Sequence, residues 1–273
     1  DALVARNVRA VQDFFAAASE TVDRERISFL LVPTSGLVLS DRLPKNARLF
    51  DQGAYIDKVG LAVAEYNFVD VRQELVAHRE EYIYYKTDHH WTTDGARLAC
   101  EAWRSSVGLP SVSADDRQKT VVSTKFRGSL YSKILDADSA YDDIWIYGDM
   151  SDWAGYAVTL DEREPGVIFD EGKLEEKDKY AFFFGGNTGQ VHISGGASED
   201  GNRRLLVVKD SFANTFVPLI AGQYEDIYMV DLRYYNGDMT EYLREHEITD
   251  VLVLYNISNF ISDRNLYKLT GGI

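Results

Sequence analysis

Apolar residues recur along the chain with two spacings, one typical of helices and the other of buried strands. Val4, Val8, Val11 and Phe15 follow helical spacing, so the first twenty or so residues predict an amphipathic helix lying on the domain. The nearly unbroken apolar run over residues 27–32 then predicts a parallel strand covered on both faces. The chain therefore begins with the alternation of an α/β protein.

The same alternation continues to about residue 110. Apolar positions predict a helix over residues 56–63 and short strands over 68–71 and 82–85. A further helix is expected to begin after a cap at Thr92 or Thr93.

Three strand–helix units close the chain, with strands predicted at 205–208, 227–230 and 251–254. From about 112 to 203 the alternation is lost, and the sequence becomes acidic, aromatic and rich in turns. We therefore expect one α/β domain spanning 1–273, with a doubly wound, mostly parallel sheet and a partly β insertion over 112–203. Ligands bind such sheets beyond the carboxyl ends of the strands.

Composition narrows the classes of function. A chain of 273 residues that is 45% hydrophobic can bury a full α/β core. Cys100 is the only cysteine, which excludes thiolate metal sites and disulfides within the chain. The formal net charge of −15 argues against nucleic acid as a partner, because like charges repel. A neutral or polar substrate fits this charge better.

The two ends of the sequence bear on location. No run of about eighteen apolar residues and no signal peptide is visible. Because the chain opens on Asp1 without a methionine, we expect that a signal sequence or membrane anchor precedes it in the native protein.

Three residues supply the acid, base and nucleophile that acyl transfer requires. Ser211 follows a predicted strand, and Asp88 and His90 follow another. A serine hydroxyl needs a base to take its proton, and the base needs a carboxylate to orient it. In an extended segment Asp88 and His90 project to the same side whereas His89 points the other way, which favours His90 as the base.

Each of these residues has a simpler interpretation. A serine at a strand–helix junction is as commonly a helix cap, and adjacent histidines also bind metals. Asp210 is an alternative acid, although its position next to Ser211 favours a role in bracing the loop. We expect no metal and no cofactor, because no cysteine or second histidine motif completes a coordination shell.

The oxyanion of an acyl-transfer intermediate needs preorganised hydrogen-bond donors. Asn256 is the best candidate because it ends the last predicted strand, and Arg233 ends the strand before it. Asn187 is a weaker candidate, since Gly-Gly-Asn is also ordinary turn chemistry. It is equally plausible that Asn256 is a turn residue and that Arg233 forms an ion pair.

Other site types fit poorly. The Asp-His-His triplet is shared with phosphoesterases of the DHH type, but the further acidic and histidine motifs of a two-metal site are not evident. The related palmitoyltransferase motif requires cysteine in place of Trp91. The sequence contains no glycine-rich phosphate loop of Rossmann or Walker type.

Five segments carry a resemblance to a known family. They are Asp88-His89-His90-Trp91, residues 126–133 (Phe-Arg-Gly-Ser-Leu-Tyr-Ser-Lys), 209–214 (Lys-Asp-Ser-Phe-Ala-Asn), 231–235 (Asp-Leu-Arg-Tyr-Tyr) and 254–259 (Leu-Tyr-Asn-Ile-Ser-Asn). In these five segments the chain resembles the DHHW protein family, which is allied to SGNH (GDSL-type) hydrolases and to alginate O-acetyltransferases.

The resemblance implies a circularly permuted SGNH-hydrolase-like domain, in which the Asp-x-His pair precedes the nucleophilic serine. Asp88, His90 and Ser211 match that pattern. Lys209 departs from it, because the family of hydrolases has glycine at that position. The related acetyltransferases work outside the cytoplasm and take acetyl from a membrane-bound acyltransferase for transfer to an exopolysaccharide.

Two functions from different classes follow. The first is an extracytoplasmic, serine-dependent O-acetyltransferase or acetylesterase acting on cell-surface polysaccharide. The second is a catalytically inactive carbohydrate-binding or structural protein of the cell envelope. Retention of all three triad residue types favours the enzyme. The sequence leaves hydrolysis and transfer open, because one acyl-enzyme serves both.

Overall fold

The computed structural model describes residues 2–111, 118–135, 138–198 and 201–271. Its strands are β1 (Ile27–Val32), β2 (Asn67–Val69), β3 (Lys119–Phe126), β4 (Asp142–Tyr147), β5 (Ala157–Leu160), β6 (Glu164–Gly166), β7 (Gln190–Ser194), β8 (Arg204–Lys209), β9 (Asp226–Val230) and β10 (Asp250–Asn256). Its α-helices are α1 (Ala2–Ala18), α2 (Ser35–Val38), α3 (Gln52–Ala62), α4 (Arg72–Ala77), α5 (Thr93–Ser106), α6 (Ser129–Ile134), α7 (Ala213–Phe216), α8 (Met239–Glu245) and α9 (Ile257–Ser262).

Eight of the strands form one sheet in the order β2-β1-β10-β8-β9-β7-β5-β6. Five neighbouring strands run parallel to one another, namely β2, β1, β10, β8 and β9. Beyond β9, the strands β7, β5 and β6 continue the sheet in antiparallel pairings. The fold is therefore a mixed α/β fold with a large, mostly parallel sheet. The strands β3 and β4 form a separate antiparallel pair.

The sheet is covered on both faces, as the continuous apolar runs predict. Alternate residues of one strand enter two different hydrophobic clusters, with Leu30 in the first and Phe29 in the second. Helix α5 packs its buried face into the first cluster through Trp103, and α1 packs into the second through Phe15. The two hydrophobic clusters hold the sheet between the helices and so fix the positions of the strand ends, where the candidate site lies.

Part of the predicted middle region belongs to the main sheet. Strand β7 pairs with β9, so residues within the range 112–203 extend the parallel sheet at one edge. The expected start of the insertion near residue 112 lies outside the described residues. No helix in the described ranges combines the length and apolarity that a membrane crossing requires.

One predicted strand is absent from the described structure. Residues 82–85 form a single bridge, between Tyr84 and Trp91, instead of a strand of the sheet. Their apolar character reflects burial of Ile83, Tyr84 and Tyr85 in the first hydrophobic cluster, which a short apolar run cannot distinguish from a strand.

Candidate active site

The site lies at the carboxyl ends of the central strands. Ser211 follows β8 by two residues, and β8 lies between β10 and β9 in the sheet. Asp88 and His90 come from the loop that leads into α5, whose N-cap Thr92 accepts a hydrogen bond from the Gly95 N–H. The two segments are more than a hundred residues apart in sequence, and the fold brings them together at the carboxyl ends of the parallel strands.

Asp88, His90 and Ser211 form a hydrogen-bonded chain. His90 Nδ1 lies 2.5 Å from Asp88 Oδ1, and His90 Nε2 lies 2.7 Å from Ser211 Oγ. All three side chains are buried, with Ser211 the most exposed at 7%. The geometry is that of a nucleophile, a base and an orienting acid.

The loop reaches this geometry by a turn, which corrects the strand-alternation interpretation. Residues 86–90 are bends, and the His90 backbone N–H donates to Asp88 Oδ1 at 3.0 Å. His89 therefore does not point away: its ring lies 3.9 Å from that of His90, and its Nδ1 lies 2.6 Å from Ser129 Oγ. Burial and the nearby His90 lower the pKa of His89 to about 4, so its imidazole is neutral at pH 7.

The second oxygen of Asp88 is held by the start of α6. The Ser129 N–H donates to Asp88 Oδ2 at 2.7 Å. Gly128 makes this approach feasible, since a Cβ there would lie 2.3 Å from Asp88 Oδ2. Burial opposes ionisation of Asp88, but the hydrogen bond and charge of His90 and the hydrogen bond from the Ser129 N–H outweigh it and lower the pKa of Asp88.

Two aromatic residues hold the histidine and serine segments together. The indole N–H of Trp91 donates to the Phe212 carbonyl at 3.0 Å and to Thr215 Oγ1 at 2.8 Å, which ties the histidine loop to the segment that contains Ser211. Tyr180 stacks on His90 with ring centroids 3.8 Å apart and donates its hydroxyl hydrogen to the Ser211 carbonyl at 3.1 Å. The sequence carried no signal for Tyr180, because one tyrosine among seventeen is not distinctive.

Asp210 braces the segment that contains Ser211 and is not bonded to His90. Its carboxylate accepts hydrogen bonds from the backbone N–H groups of Phe212 at 2.9 Å and Asn256 at 2.8 Å, and from Asn259 Nδ2 at 2.7 Å. Burial raises the pKa of Asp210. The carboxylate that faces the candidate base is that of Asp88.

The oxyanion role predicted for Asn256 is corrected by its contacts. Its Nδ2 donates to the Val32 carbonyl at 3.2 Å, and its Oδ1 accepts from the Ser258 N–H at 3.0 Å as the N-cap of α9. The side chain is therefore committed to backbone groups, and it does not line the cavity at Ser211. A capping asparagine and an oxyanion donor look the same in sequence.

Arg233 and Asn187 both line that cavity. The Arg233 guanidinium is bonded to Asp231, with Nη2 2.6 Å from Oδ2, and this pairing raises the pKa of Arg233. Asn187 directs its Oδ1 towards Lys209 Nζ, 3.1 Å away. In the described part of the chain, the Ser211 backbone N–H donates to no protein acceptor.

The cavity has a volume of about 550 Å³ and opens to solvent over Ser211 and His90. Its wall carries more basic than acidic groups, in contrast to the whole chain. The charged side chains on it are Asp88, Asp178, Arg127, Lys133, Lys177 and Arg233.

Asp88, His89 and His90 are the residues that could hold a metal. Within the described ranges they form the one group of three such side chains, with ligand atoms within 4.8 Å of one another. The candidate ligand atoms of Asp88 and His90 are bonded to each other, and Nδ1 of His89 faces Ser129 Oγ. These candidate metal ligands are thus already hydrogen-bonded within the protein.

A comparison with protein-family models identifies the class of protein. The model of the DHHW protein matches residues 63–230, which is more than half of the chain. The chain therefore belongs to the DHHW family. A comparison with curated protein sequences gave no significant match.

Solved structures share the fold. A DHHW family protein from Eubacterium siraeum superposes with a TM-score of 0.80 at 22% identity, covering 99% of this chain and 89% of that one. Bacillus cereus PatB1 with a sulfonyl adduct gives 0.79 at 22% identity, over 98% and 91%. The O-acetyltransferase domain of Pseudomonas putida AlgJ gives 0.57 at 11% identity, over 96% and 84%.

Proposed function

We propose that the protein is an extracytoplasmic, serine-dependent O-acetyltransferase or acetylesterase that acts on cell-surface polysaccharide. One observation carries the proposal: the hydrogen-bonded chain from Asp88 through His90 to Ser211, which ends in an open cavity. Ser211 is the nucleophile, His90 the general base and acid, and Asp88 the orienting carboxylate.

The reaction proceeds in two halves. Ser211 Oγ attacks the acetyl carbonyl carbon while its proton passes to His90 Nε2, and the C–O bond to the leaving alcohol then breaks as His90 returns the proton to it. An acceptor hydroxyl or water next gives its proton to His90 Nε2 and attacks the carbonyl carbon of the acetyl-serine. The bond between Ser211 Oγ and the acetyl carbon then breaks as His90 returns the proton to Ser211, which releases the new ester or acetate. The ionised Asp88 stabilises the imidazolium in both halves, and its lowered pKa keeps it ionised at neutral pH.

Two donors are available for the oxyanion. The Ser211 backbone N–H is unused within the described residues, and Asn187 presents its carboxamide on the same cavity wall. We assign the oxyanion to these two groups and substrate binding to Arg233.

The similar structures support the class of activity. The solved AlgJ domain is named an O-acetyltransferase domain, and this chain shares its fold. The polysaccharide acceptor, a membrane-bound acyltransferase as acetyl donor, and an N-terminal anchor belong to the proposal. So does the circular permutation, for which the order Asp88, His90, Ser211 along the chain is the support.

The test is incubation with an activated acetyl ester, followed by intact mass and peptide mapping. We expect one added acetyl group on Ser211 and catalytic release of the alcohol, both lost in Ser211→Ala while the thermal unfolding curve stays close to that of the wild type. Wild-type turnover by folded Ser211→Ala excludes the serine mechanism. No acetylation and no turnover of the wild type would favour the alternative, a catalytically inactive carbohydrate-binding or structural protein of the cell envelope.

Two additions refine the result. Oligosaccharides present during turnover distinguish transfer, in which the sugar gains the acetyl group, from hydrolysis, in which acetate accumulates. Treatment with EDTA should leave turnover unchanged, because no step uses a metal. Loss of turnover that a divalent ion restores would favour metal binding by Asp88, His89 and His90 instead.

A further inference from the structure

Lys209 is a buried cation without a carboxylate partner. Lys209 is the last residue of β8 and is only 1% exposed. Within the described ranges it forms no ion pair, and the acceptors of its ammonium group are two amide oxygens, Asn214 Oδ1 at 2.7 Å and Asn187 Oδ1 at 3.1 Å. Burying an ammonium group without a paired charge is costly, so such an arrangement calls for a compensating role.

The ammonium group determines how both amides are oriented. An ammonium only donates hydrogen bonds, so the carboxamide atom that faces it must be oxygen. Asn214 therefore turns its Nδ2 towards Asn187, where it lies 3.4 Å from Oδ1. Asn187 Oδ1 thus faces two donors, Lys209 Nζ and Asn214 Nδ2. The Nδ2 of Asn187, on the other branch of the carboxamide, therefore points away from both of them.

This orientation matters because Asn187 lies on the wall of the cavity that contains Ser211 and His90. In the described structure no protein acceptor takes a hydrogen bond from Asn187 Nδ2. A flipped carboxamide would present an oxygen to the developing oxyanion and repel it. An amide whose oxygen is bonded to a cation is also a stronger donor through its N–H groups.

We propose that Lys209 is a positioning residue that acts through Asn187: its ammonium group fixes and polarises the Asn187 carboxamide so that Nδ2 donates to the oxyanion. The inference rests on the proposed function, and it goes further by giving a role to the lysine that occupies the position of a glycine in the GDSL-type motif. The substrate does not contact Lys209 in this scheme.

A double-mutant cycle separates this role from a structural one. Asn187→Ala should lower kcat on the acetyl ester roughly 100- to 1000-fold, as loss of one oxyanion donor does. Lys209→Met should lower kcat roughly 10- to 100-fold, the value of a charge-assisted hydrogen bond, with KM within about twofold. The double variant should lie within about threefold of Asn187→Ala alone, because the lysine has no effect without the asparagine.

Three controls accompany the cycle. Lys58→Met removes an exposed lysine on α3 and should change neither kcat nor KM. Thermal unfolding of each variant shows whether the fold is retained. If Lys209→Met does not fold, Lys209→Gln gives the same test of the charge, because it removes the ammonium group while leaving a polar side chain beside the two amides.

An independent measurement does not require turnover. In the wild type, the side-chain N–H₂ resonances of Asn187, assigned by their loss in Asn187→Ala, should be sharp and distinct in a ¹H–¹⁵N spectrum. In Lys209→Met they should broaden or shift towards the values of a free amide. Additive losses of kcat, or unchanged Asn187 resonances, overturn the inference. Absence of Ser211-dependent turnover overturns the proposed function instead, and the resonances then decide the positioning role by themselves.

Discussion

At the scale of single residues, the DHHW motif divides into four separate roles. Asp88 and His90 are linked to Ser211, Trp91 ties the histidine loop to the segment that contains Ser211, and His89 lies on the cavity wall beside Ser129. The two adjacent histidines therefore differ in what they can do, although both face the site.

Replacing each histidine in turn measures this difference. His90→Ala removes the histidine bonded to Ser211, and we expect kcat on an acetyl ester to fall by about four orders of magnitude, the loss typical of a member of a catalytic triad. His89→Ala should cost no more than about tenfold, because His89 Nδ1 is bonded to Ser129 and not to the nucleophile. The reverse ranking in steady-state kinetics would assign the base to His89.

Asn256 provides a test of the corrected assignment. Asn256→Ala removes the N-cap of α9 and the hydrogen bond to Val32, so it should lower the free energy of unfolding by about 1 to 2 kcal/mol. Because the side chain is absent from the cavity, kcat should change less than about threefold. Urea unfolding and ester turnover of the same preparation give both values, with Asn187→Ala as the comparison. A fall in kcat of two to three orders would restore the oxyanion role.

At the scale of elements, the site depends on how short segments begin. Helix α6 starts where its Ser129 N–H can reach Asp88, and Thr92 caps α5 directly after the histidines. The α5 cap was predictable, because threonine before a helical apolar pattern is a local signal. The contact of α6 with Asp88 was not predictable, because it joins residues about forty positions apart.

Gly128→Ala tests the contact between α6 and the acid. A Cβ at residue 128 would overlap the Asp88 carboxylate, so either the acid or the start of α6 must move. We expect kcat to fall about 100-fold or more, since a misplacement of about 1 Å has that effect. Gly155→Ala is the matched control, because nothing lies within 4 Å of a Cβ there, and its kinetics should equal those of the wild type. Equal activity of Gly128→Ala would show that the acid tolerates displacement.

At the scale of the whole molecule, the chain has a formal net charge of −15, but the cavity wall carries more basic than acidic groups. Behind that wall lies the buried Lys209, whose acceptors in the described structure are two neutral amides. Burial lowers the pKa of Lys209 from its ordinary value of 10.5 to about 8, with Arg233 adding to the effect and Asp231 and Asp210 opposing it. Global unfolding releases this lysine to solvent, so its titration is linked to the stability of the entire fold.

The sign of the linkage gives a prediction. Between pH 8 and 10.5 the unfolded chain keeps the Lys209 proton that the folded chain has lost, so the contribution of Lys209 to the free energy of unfolding rises with pH. From pH 7 to 10, the wild-type value minus that of Lys209→Met should rise by about 2 to 3 kcal/mol. Urea unfolding at several pH values measures the difference, and the buried tyrosines cancel in it. The comparison with Lys58→Met should show no such rise, and parallel curves for Lys209→Met would contradict the lowered pKa.

The sequence by itself determined the layers of the fold and the residue types of the proposed triad. Continuous apolar runs predicted β1, β8, β9 and β10, because a strand buried on both faces has no polar side to display. Helical spacing predicted α1 and α5 for the same local reason. Motif position and residue chemistry then indicated Asp88, His90 and Ser211, whose side chains the structure brings into hydrogen-bond contact.

Only the tertiary structure decided which polar side chains face the site. It committed Asn256 to a cap, turned His89 towards the cavity, stacked Tyr180 on His90 and placed Lys209 behind Asn187. A local pattern encodes the path of the backbone, because propensity and burial act over neighbouring residues. The direction of a polar side chain depends on partners contributed by distant segments, and these partners are defined only when the sheet assembles.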